Sequence, residues 1–159
     1  MQITRLMAAS DTLQVFTDGS FDVKSGSGRW AFIVLEDDRL VHSACGNGMG
    51  HSNNTFEIIA VLEALRWLEG FAEKRVTTLW TDSWHVVEGA SHWRNIWRNN
   101  GWRRINPNIR ARPRKIPDTV LWQEMDGFLN RNPNVIVKWC KGHSGIAGNE
   151  HADALARSR

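Results

Sequence analysis

The stretch LQVFTDGS, residues 13–20, places an acidic residue at the end of an apolar run that is typical of a β-strand. Burying the Asp18 carboxylate in a strand is costly unless a hydrogen bond or a cation compensates for it. Because Asp-Gly is a common turn dipeptide, Asp18 taken alone is best interpreted as a turn residue. A cation-binding role is the alternative that this stretch leaves open.

The same arrangement occurs a second time, which strengthens the cation-binding alternative. The run VTTLW at 76–80 is also typical of a strand, and it ends in Thr81-Asp82-Ser83. Two strands that each end in an Asp can bring two carboxylates together at one edge of a sheet.

Two further acids, Glu57 and Asp153, lie in segments with helical patterns. Glu57 is expected in the first turn of an apolar helix, and Asp153 follows GNEHA at 148–152 near the start of another. An acid near a helix start also favours the helix dipole or completes a cap, so both positions have this simpler explanation. The question is therefore whether all four carboxylates meet.

Four carboxylates in one place would repel one another, and either protonation or cations must relieve the repulsion. Ligand sets made only of carboxylate oxygens suit Mg²⁺ or Mn²⁺ rather than Zn²⁺. Two such ions suit phosphodiester hydrolysis, since one activates a water and the other stabilises the leaving oxygen. His143, in the loop KGHSG at 141–145, is a candidate for proton transfer or product departure, although a lone His is more often structural.

Periodicity predicts one α/β domain over 1–159. Apolar runs predict strands at 13–17, 30–35, 40–45, 76–80 and 135–139, and helical spacing predicts helices at 54–69, 83–89, 118–129 and 149–157. A loose leader is expected at 1–12 and a Gly-rich loop at 46–50. Three antiparallel strands followed by strand–helix units predict a mixed five-stranded sheet with helices on both faces.

Composition narrows the class of protein without identifying a function. The 159 residues carry a net charge of +3, which is compatible with an anionic partner but does not require one. Cys45 and Cys140 lie far apart and predict reduced, buried thiols. Neither a signal-peptide core of roughly 7–15 apolar residues nor a membrane span of about 18 is recognisable. We expect a monomeric, cytoplasmic protein with no membrane association.

The segment 91–117, here called the basic handle, concentrates positive charge and contains no Asp or Glu. Its cations are Arg94, Arg98, Arg103, Arg104, Arg110, Arg112, Arg114 and Lys115, and Trp93, Trp97 and Trp102 are interleaved among them. One interpretation is a solvated surface whose Trp side chains pack on the body of the protein. The other is a nucleic-acid contact in which the cations bind phosphates and an indole lies against a deoxyribose.

Taken together, the motifs resemble those of type 1 ribonuclease H, the RNase HI family. The matching stretches are TDGS at 17–20, NNTFE at 53–57, TDS at 81–83, KGHSG at 141–145 and GNEHAD at 148–153. Each is weak alone, but five in the family's order and at its approximate spacing are specific. The resemblance covers about residues 13–157.

The resemblance implies an RNase H-like fold and endonucleolytic cleavage of the RNA strand of RNA/DNA hybrids. It implies two Mg²⁺ ions, with Mn²⁺ as a substitute, and products with 5′-phosphate and 3′-hydroxyl ends. Asp18, Glu57, Asp82 and Asp153 correspond to the metal ligands, and His143 to a mobile helper of catalysis. The resemblance implies substrate contacts at Ser52, Asn53, Asn54 and Trp93. Further candidate contacts are Arg94, Arg98 and Trp102 of the basic handle, and Trp84 beside Asp82.

Two departures affect the substrate surface. Residues 21–28 replace the Gly- and Pro-rich loop that many relatives have after Asp-Gly-Ser. Trp84 stands two residues after Asp82, at a position that is often Gln in bacterial relatives. Two rival functions remain open: another nuclease on the same fold, such as a junction resolvase or an integrase core, and a hybrid-binding module that does not cut. The intact motifs argue against the first rival, and four intact carboxylates argue against the second.

Overall fold

Five strands form one mixed sheet in the computed structural model, which describes residues 12–71, 74–108, 110, 112, 114–142 and 145–158. The strands are β1 (Thr12–Asp22), β2 (Ser27–Glu36), β3 (Arg39–Met49), β4 (Val76–Thr81) and β5 (Val135–Trp139). Their order across the sheet is β3-β2-β1-β4-β5. Strands β1 to β3 pair antiparallel, whereas β4 runs parallel to both β1 and β5.

Helices cover both faces of the sheet, as the sequence predicts. They are α1 (Asn53–Glu69), α2 (Trp84–Glu88), α3 (Arg94–Asn99), α4 (Thr119–Arg131) and α5 (Ala147–Arg157). A π-helical turn at Gly89–Trp93 joins α2 to α3. The predicted mixed sheet with helices on both faces is therefore confirmed.

The alternation of side chains along β1 divides the core into two parts. Leu13 and Val15 belong to the larger cluster, which includes apolar residues of α1 and α4. Phe16, on the opposite face, packs with Ala152 of α5 in a smaller cluster. Helices α1 and α5 thus bury apolar side chains against opposite faces of the sheet, which is the usual way in which α/β domains form a core.

Several predicted boundaries are wrong, and the corrections share a cause. Strand β3 continues through residues 46–49, where a Gly-rich loop was expected, because β2 supplies backbone partners as far as Met49. Thr12 begins β1 rather than ending a leader, while residues 1–11 lie outside the described part. Local composition therefore underestimated strands that neighbouring backbone stabilises.

The prediction that both cysteines are buried is also only half correct. Cys140 is buried, whereas Cys45 is exposed on β3 and accepts a hydrogen bond from Arg29 at 2.9 Å. Both thiols are free. Among the helices that the structure describes, none has the length and apolar character needed to cross a membrane.

Candidate active site

The register of two parallel strands brings the two aspartates to one edge of the sheet. Phe16 of β1 is paired with Trp80 of β4, and Asp18 and Asp82 each lie two residues further along. Parallel strands in a fixed register place residues at equivalent positions side by side. The predicted pairing of the two Asp residues is thus built into the sheet.

Helix α1 supplies the third carboxylate through a close approach to β1. The Ser52 hydroxyl caps the helix by accepting a hydrogen bond from the Thr55 amide at 3.2 Å. Gly19 packs against the α1 backbone so tightly that an added Cβ would lie 2.5 Å from the Glu57 nitrogen. This contact without an intervening side chain puts Glu57 beside Asp18.

The capping interpretation of Glu57 and Asp153 is wrong. Helix α1 begins at Asn53 and has no acid in its first turn, so Glu57 lies beyond the orphan amides that a cap would satisfy. Helix α5 begins at Ala147, six residues before Asp153. Their positions are better explained by the cleft that both residues line.

Three carboxylates form a compact cluster. One oxygen from each of Asp18, Glu57 and Asp82 lies within 4.8 Å of the other two. Asp18 and Glu57 are each only 4% exposed. Burial, then a hydrogen bond with Asp153 and the charge of Asp82, raises the pKa of Asp18 from 3.8 to about 7. Burial and the neighbouring charges also raise the pKa of Glu57 well above its ordinary value.

This arrangement fits a divalent cation. The Oε2 atom of Glu57 is buried and has no hydrogen-bond partner among the described residues, which is costly for a carboxylate oxygen. A cation would supply that partner and would offset the mutual repulsion that raises both pKa values. The donors are all carboxylate oxygens, the set that Mg²⁺ and Mn²⁺ prefer.

Asp153 lies in the same cleft but outside the compact trio. Its carboxylate accepts a hydrogen bond from Arg157, one turn further along α5, at 3.0 Å. The structure therefore clusters three of the four predicted ligands and places the fourth beside them, in hydrogen-bond contact with Asp18 and paired with Arg157. The i,i+4 spacing of Asp153 and Arg157 within the predicted helix at 149–157 is the sequence signal that could have indicated this pair.

Some of the predicted substrate residues line the carboxylate cleft, and others lie outside it. Asn53, Asn54 and Trp84 line the same cleft as the carboxylates, which has a volume of about 670 Å³. Ser52 serves as the cap of α1. His143 lies outside the described residues.

The first part of the basic handle is helical, and its arginines are engaged within the protein. Arg94, whose side chain is 16% exposed, donates to Asp126 of α4 at 2.8 Å, and Arg98 donates to the same oxygen at 2.6 Å. This buried carboxylate thus attaches α3 to α4. Trp93 is exposed and stacks on Trp97, with ring centroids 6.2 Å apart.

The later part of the handle carries its exposed charge. Trp102 is partly buried against the main core and has a positive φ of 61°. Six cations around and beyond it are exposed: Arg103, Arg104, Arg110, Arg112, Arg114 and Lys115.

A family model for RNase H matches residues 10–159, nearly the whole chain. The chain belongs to the RNase H family. Among its relatives, Ribonuclease H of Roseobacter denitrificans is 37% identical over 150 residues, covering 92% of this chain and 93% of the relative. Ribonuclease H of Parvibaculum lavamentivorans is 32% identical over 151 residues, covering 95% and 93%. The predicted family and enzyme class are therefore confirmed.

Solved structures of RNase H proteins share the fold. The chain superimposes on LC9-RNase H1, a type 1 RNase H with the type 2 active-site motif, with a TM-score of 0.75 and 26% identity. The match covers 91% of this chain and 70% of that one. It also matches a foamy viral protease-reverse transcriptase solved with an RNA/DNA hybrid, with a TM-score of 0.77. At 19% identity over 19% of that protein, the second match shows the fold alone.

The sequence did not indicate two residues of this RNase H that contact Asp82 at the end of β4. The Trp139 indole N–H donates to the Asp82 carbonyl at 3.3 Å. Gly142 lies so near that an added Cβ would be 2.5 Å from the Asp82 Oδ2 atom. Gly142 belongs to the KGHSG motif, but its closeness to Asp82 depends on the β4–β5 pairing, which the motif does not reveal.

The raised carboxyl pKa values predict how the metal-free protein responds to pH. Between pH 3.8 and about 7, the folded protein keeps a proton on Asp18 that the unfolded chain loses, so stability falls as pH rises. The shift corresponds to about 4 kcal/mol for this group. In EDTA, we expect the midpoint of thermal unfolding to fall from pH 5 to pH 8, and Mg²⁺ to raise it more at pH 8. In Asp18→Asn, the unfolding midpoint in EDTA should change less with pH. The same change of midpoint with pH in the variant and the wild type would contradict this prediction.

Proposed function

We propose that this RNase H cuts the RNA strand of RNA/DNA hybrids by metal-dependent hydrolysis, leaving 5′-phosphate and 3′-hydroxyl ends. The observation that carries the proposal is the cluster of Asp18, Glu57 and Asp82 in an open, polar cleft. We propose two Mg²⁺ ions as the cofactor, with Mn²⁺ as a substitute. When bound, they activate the attacking water and stabilise the leaving oxygen.

The chain's own residues divide the remaining work. Asp18, Glu57 and Asp82 hold metal, and Asp153 completes the ligand set. His143 is proposed to carry a proton during turnover or product departure. No described side chain in this proposal acts as a nucleophile, because the attacking group would be a water from solvent that the metal activates.

Asn53 and Asn54 are proposed to contact the hybrid in its minor groove. They are exposed at the start of α1, at the edge of the carboxylate cleft. Amide side chains can both donate and accept hydrogen bonds, which suits base edges and 2′-hydroxyl groups. The 2′-hydroxyl is the group that distinguishes RNA from DNA, so contacts here would select the strand that is cut. Ser52 supports this contact by capping the helix.

The basic handle is proposed to bind the phosphate backbone, with Trp93 against a deoxyribose and Trp84 and Trp102 lining the path of the substrate. Arg94 and Arg98 would contribute chiefly by attaching α3 to Asp126, since both donate to it. The exposed cations beyond Trp102 would neutralise phosphates directly.

Salt dependence tests the handle. Replacing Arg104 and Arg112 by Gln should weaken hybrid binding and reduce the slope of log Kd against log salt by roughly 0.7–0.9 per lost contact. Fluorescence anisotropy of a labelled hybrid in EDTA measures both quantities. A control variant, Arg39→Gln with Lys74→Gln, removes the same charge outside the handle, near the starts of β3 and β4, and should keep the wild-type slope. Equal slopes for the two variants would exclude the handle as the phosphate contact.

A substrate panel tests the proposed activity. With Mg²⁺, the protein should cut the RNA strand of a labelled RNA/DNA hybrid and leave RNA/RNA and DNA/DNA duplexes intact. End-group analysis should find 5′-phosphates on the new fragments. Cleavage of DNA branch points would instead favour a resolvase, and binding without cleavage would favour the non-catalytic module.

We also propose that residues 1–159 act as one domain, as a monomer, and in the cytoplasm. Size-exclusion chromatography with light scattering tests the monomer directly: a mass near 18.1 kDa is expected. A mass twice that value would contradict it.

A further inference from the structure

The partly exposed indoles of Trp84 and Trp139 contact each other at the edge of the carboxylate cleft. Trp84 is 59% exposed and is one of the residues that line the cleft. Trp139 is 44% exposed and meets Trp84 edge to face, with ring centroids 6.0 Å apart and an angle of 85°. This geometry is a favourable aromatic contact, so each ring restricts the orientation of the other.

Trp139 also contacts the strand end that carries Asp82. It is the last residue of β5, and its register partner in β4 is Thr81. Its indole N–H donates to the Asp82 carbonyl at 3.3 Å, while the Cys140 amide donates to the Thr81 carbonyl at 2.9 Å. One side chain therefore touches both the backbone of a metal-ligand candidate and the indole that enters the cleft.

We propose that Trp139 is a positioning residue, which orients Trp84 as an apolar contact for the sugar edge of the hybrid and holds Asp82 in place for the metal. This inference rests on the proposed function and deepens it. It assigns the two roles to different parts of one side chain. The ring surface supports Trp84, and the indole N–H supports Asp82.

The sugar edge is the chemistry that suits Trp84. Within a duplex the base faces are covered by stacking, whereas sugar C–H groups and base edges remain open in the minor groove. An indole can pack on a sugar without reading the base, because its contact area is apolar. The contact should therefore strengthen binding equally for hybrids of different sequence.

Three variants separate the two roles. Trp84→Leu removes the exposed indole and leaves the Asp82 contact, whereas Trp139→Phe keeps an aromatic ring and removes the N–H. Trp139→Leu removes both. Trp80→Phe is a matched control, since the Trp80 indole N–H donates to Gln14 rather than to the cleft.

Hybrid binding in EDTA and the Mg²⁺-induced rise in the unfolding midpoint are the two readouts, and neither requires cleavage. Trp84→Leu should weaken hybrid binding about five-fold, by a similar factor for two unrelated sequences, and keep the Mg²⁺ response. Trp139→Phe should keep hybrid binding and require about five-fold more Mg²⁺ for half of the midpoint shift. Trp139→Leu should show both defects, and Trp80→Phe neither.

Each half of the inference can fail separately. A Mg²⁺ response of Trp139→Phe equal to that of Trp80→Phe would overturn the link to Asp82. Wild-type hybrid affinity of Trp84→Leu would overturn the sugar contact. A wild-type protein that does not cut hybrid would refute the proposed function instead, and the binding and unfolding readouts would still decide the roles of the two indoles.

Discussion

Asp82→Asn is expected to lower kcat for hybrid cleavage by about 1,000-fold, while hybrid binding stays the same or becomes tighter. The substitution removes one of the three clustered carboxylates and keeps the size of the side chain. An amide supplies no negative charge to a divalent cation, so the stabilisation of charge in the transition state is lost. Phosphate contacts of the basic handle do not depend on this residue, and one less negative charge in the cleft favours a polyanion.

The control for this experiment is Asp38→Asn. Asp38 is an exposed acid in the turn between β2 and β3, outside the carboxylate cleft. Its substitution removes the same charge and should leave both kcat and the hybrid Kd unchanged. Substantial cleavage by Asp82→Asn with Mg²⁺ would show that the clustered carboxylates are not the catalytic metal site.

Gly19→Ala is expected to destabilise the fold by about 1–3 kcal/mol or more and to impair cleavage severely in the fraction that folds. The added Cβ would meet the backbone of Phe56 and lie 2.5 Å from the Glu57 nitrogen. Backbone cannot rotate away as a flexible side chain can, so α1 must move from β1. That movement separates Glu57 from Asp18, the contact on which the metal site depends.

Gly127→Ala provides a matched control within α4. There the nearest atom to an added Cβ is the end of the Arg131 side chain, at 3.1 Å, which can move aside. Ala is favoured over Gly inside a helix, so this variant should gain up to about 1 kcal/mol. Urea unfolding measured by circular dichroism compares the two. Equal stability of Gly19→Ala and wild type would show that the β1–α1 contact is not tight.

The fold and the central acids were predictable because they depend on local patterns. Each apolar run predicts a strand with an Asp directly after it, and the parallel pairing of β1 with β4 places Asp18 beside Asp82, although β1 itself continues to Asp22. Helical spacing around Glu57 marks a buried helix, whose start the Ser52 cap defines. The strands before the two Asp residues and the helix around Glu57 can each be recognised from a short stretch of sequence.

The remaining features depend on contacts between distant segments. The attachment of Arg94 and Arg98 to Asp126 joins two helices, and no local rule distinguishes such a pair from exposed cations that bind phosphate. Trp139 reaches Asp82 only because β5 pairs with β4 in one register. The strands likewise extend beyond their apolar runs wherever a neighbouring strand offers hydrogen bonds.

The most direct test of the metal-dependent nuclease is a Mg²⁺ titration of hybrid cleavage at pH 8. Protein freed of metal with EDTA should bind the labelled hybrid without cutting it, and added Mg²⁺ or Mn²⁺ should restore cleavage confined to the RNA strand. Cleavage that persists in EDTA, or hybrid that stays bound and intact at every concentration of either metal, would contradict the assignment of Asp18, Glu57 and Asp82 as a catalytic metal site.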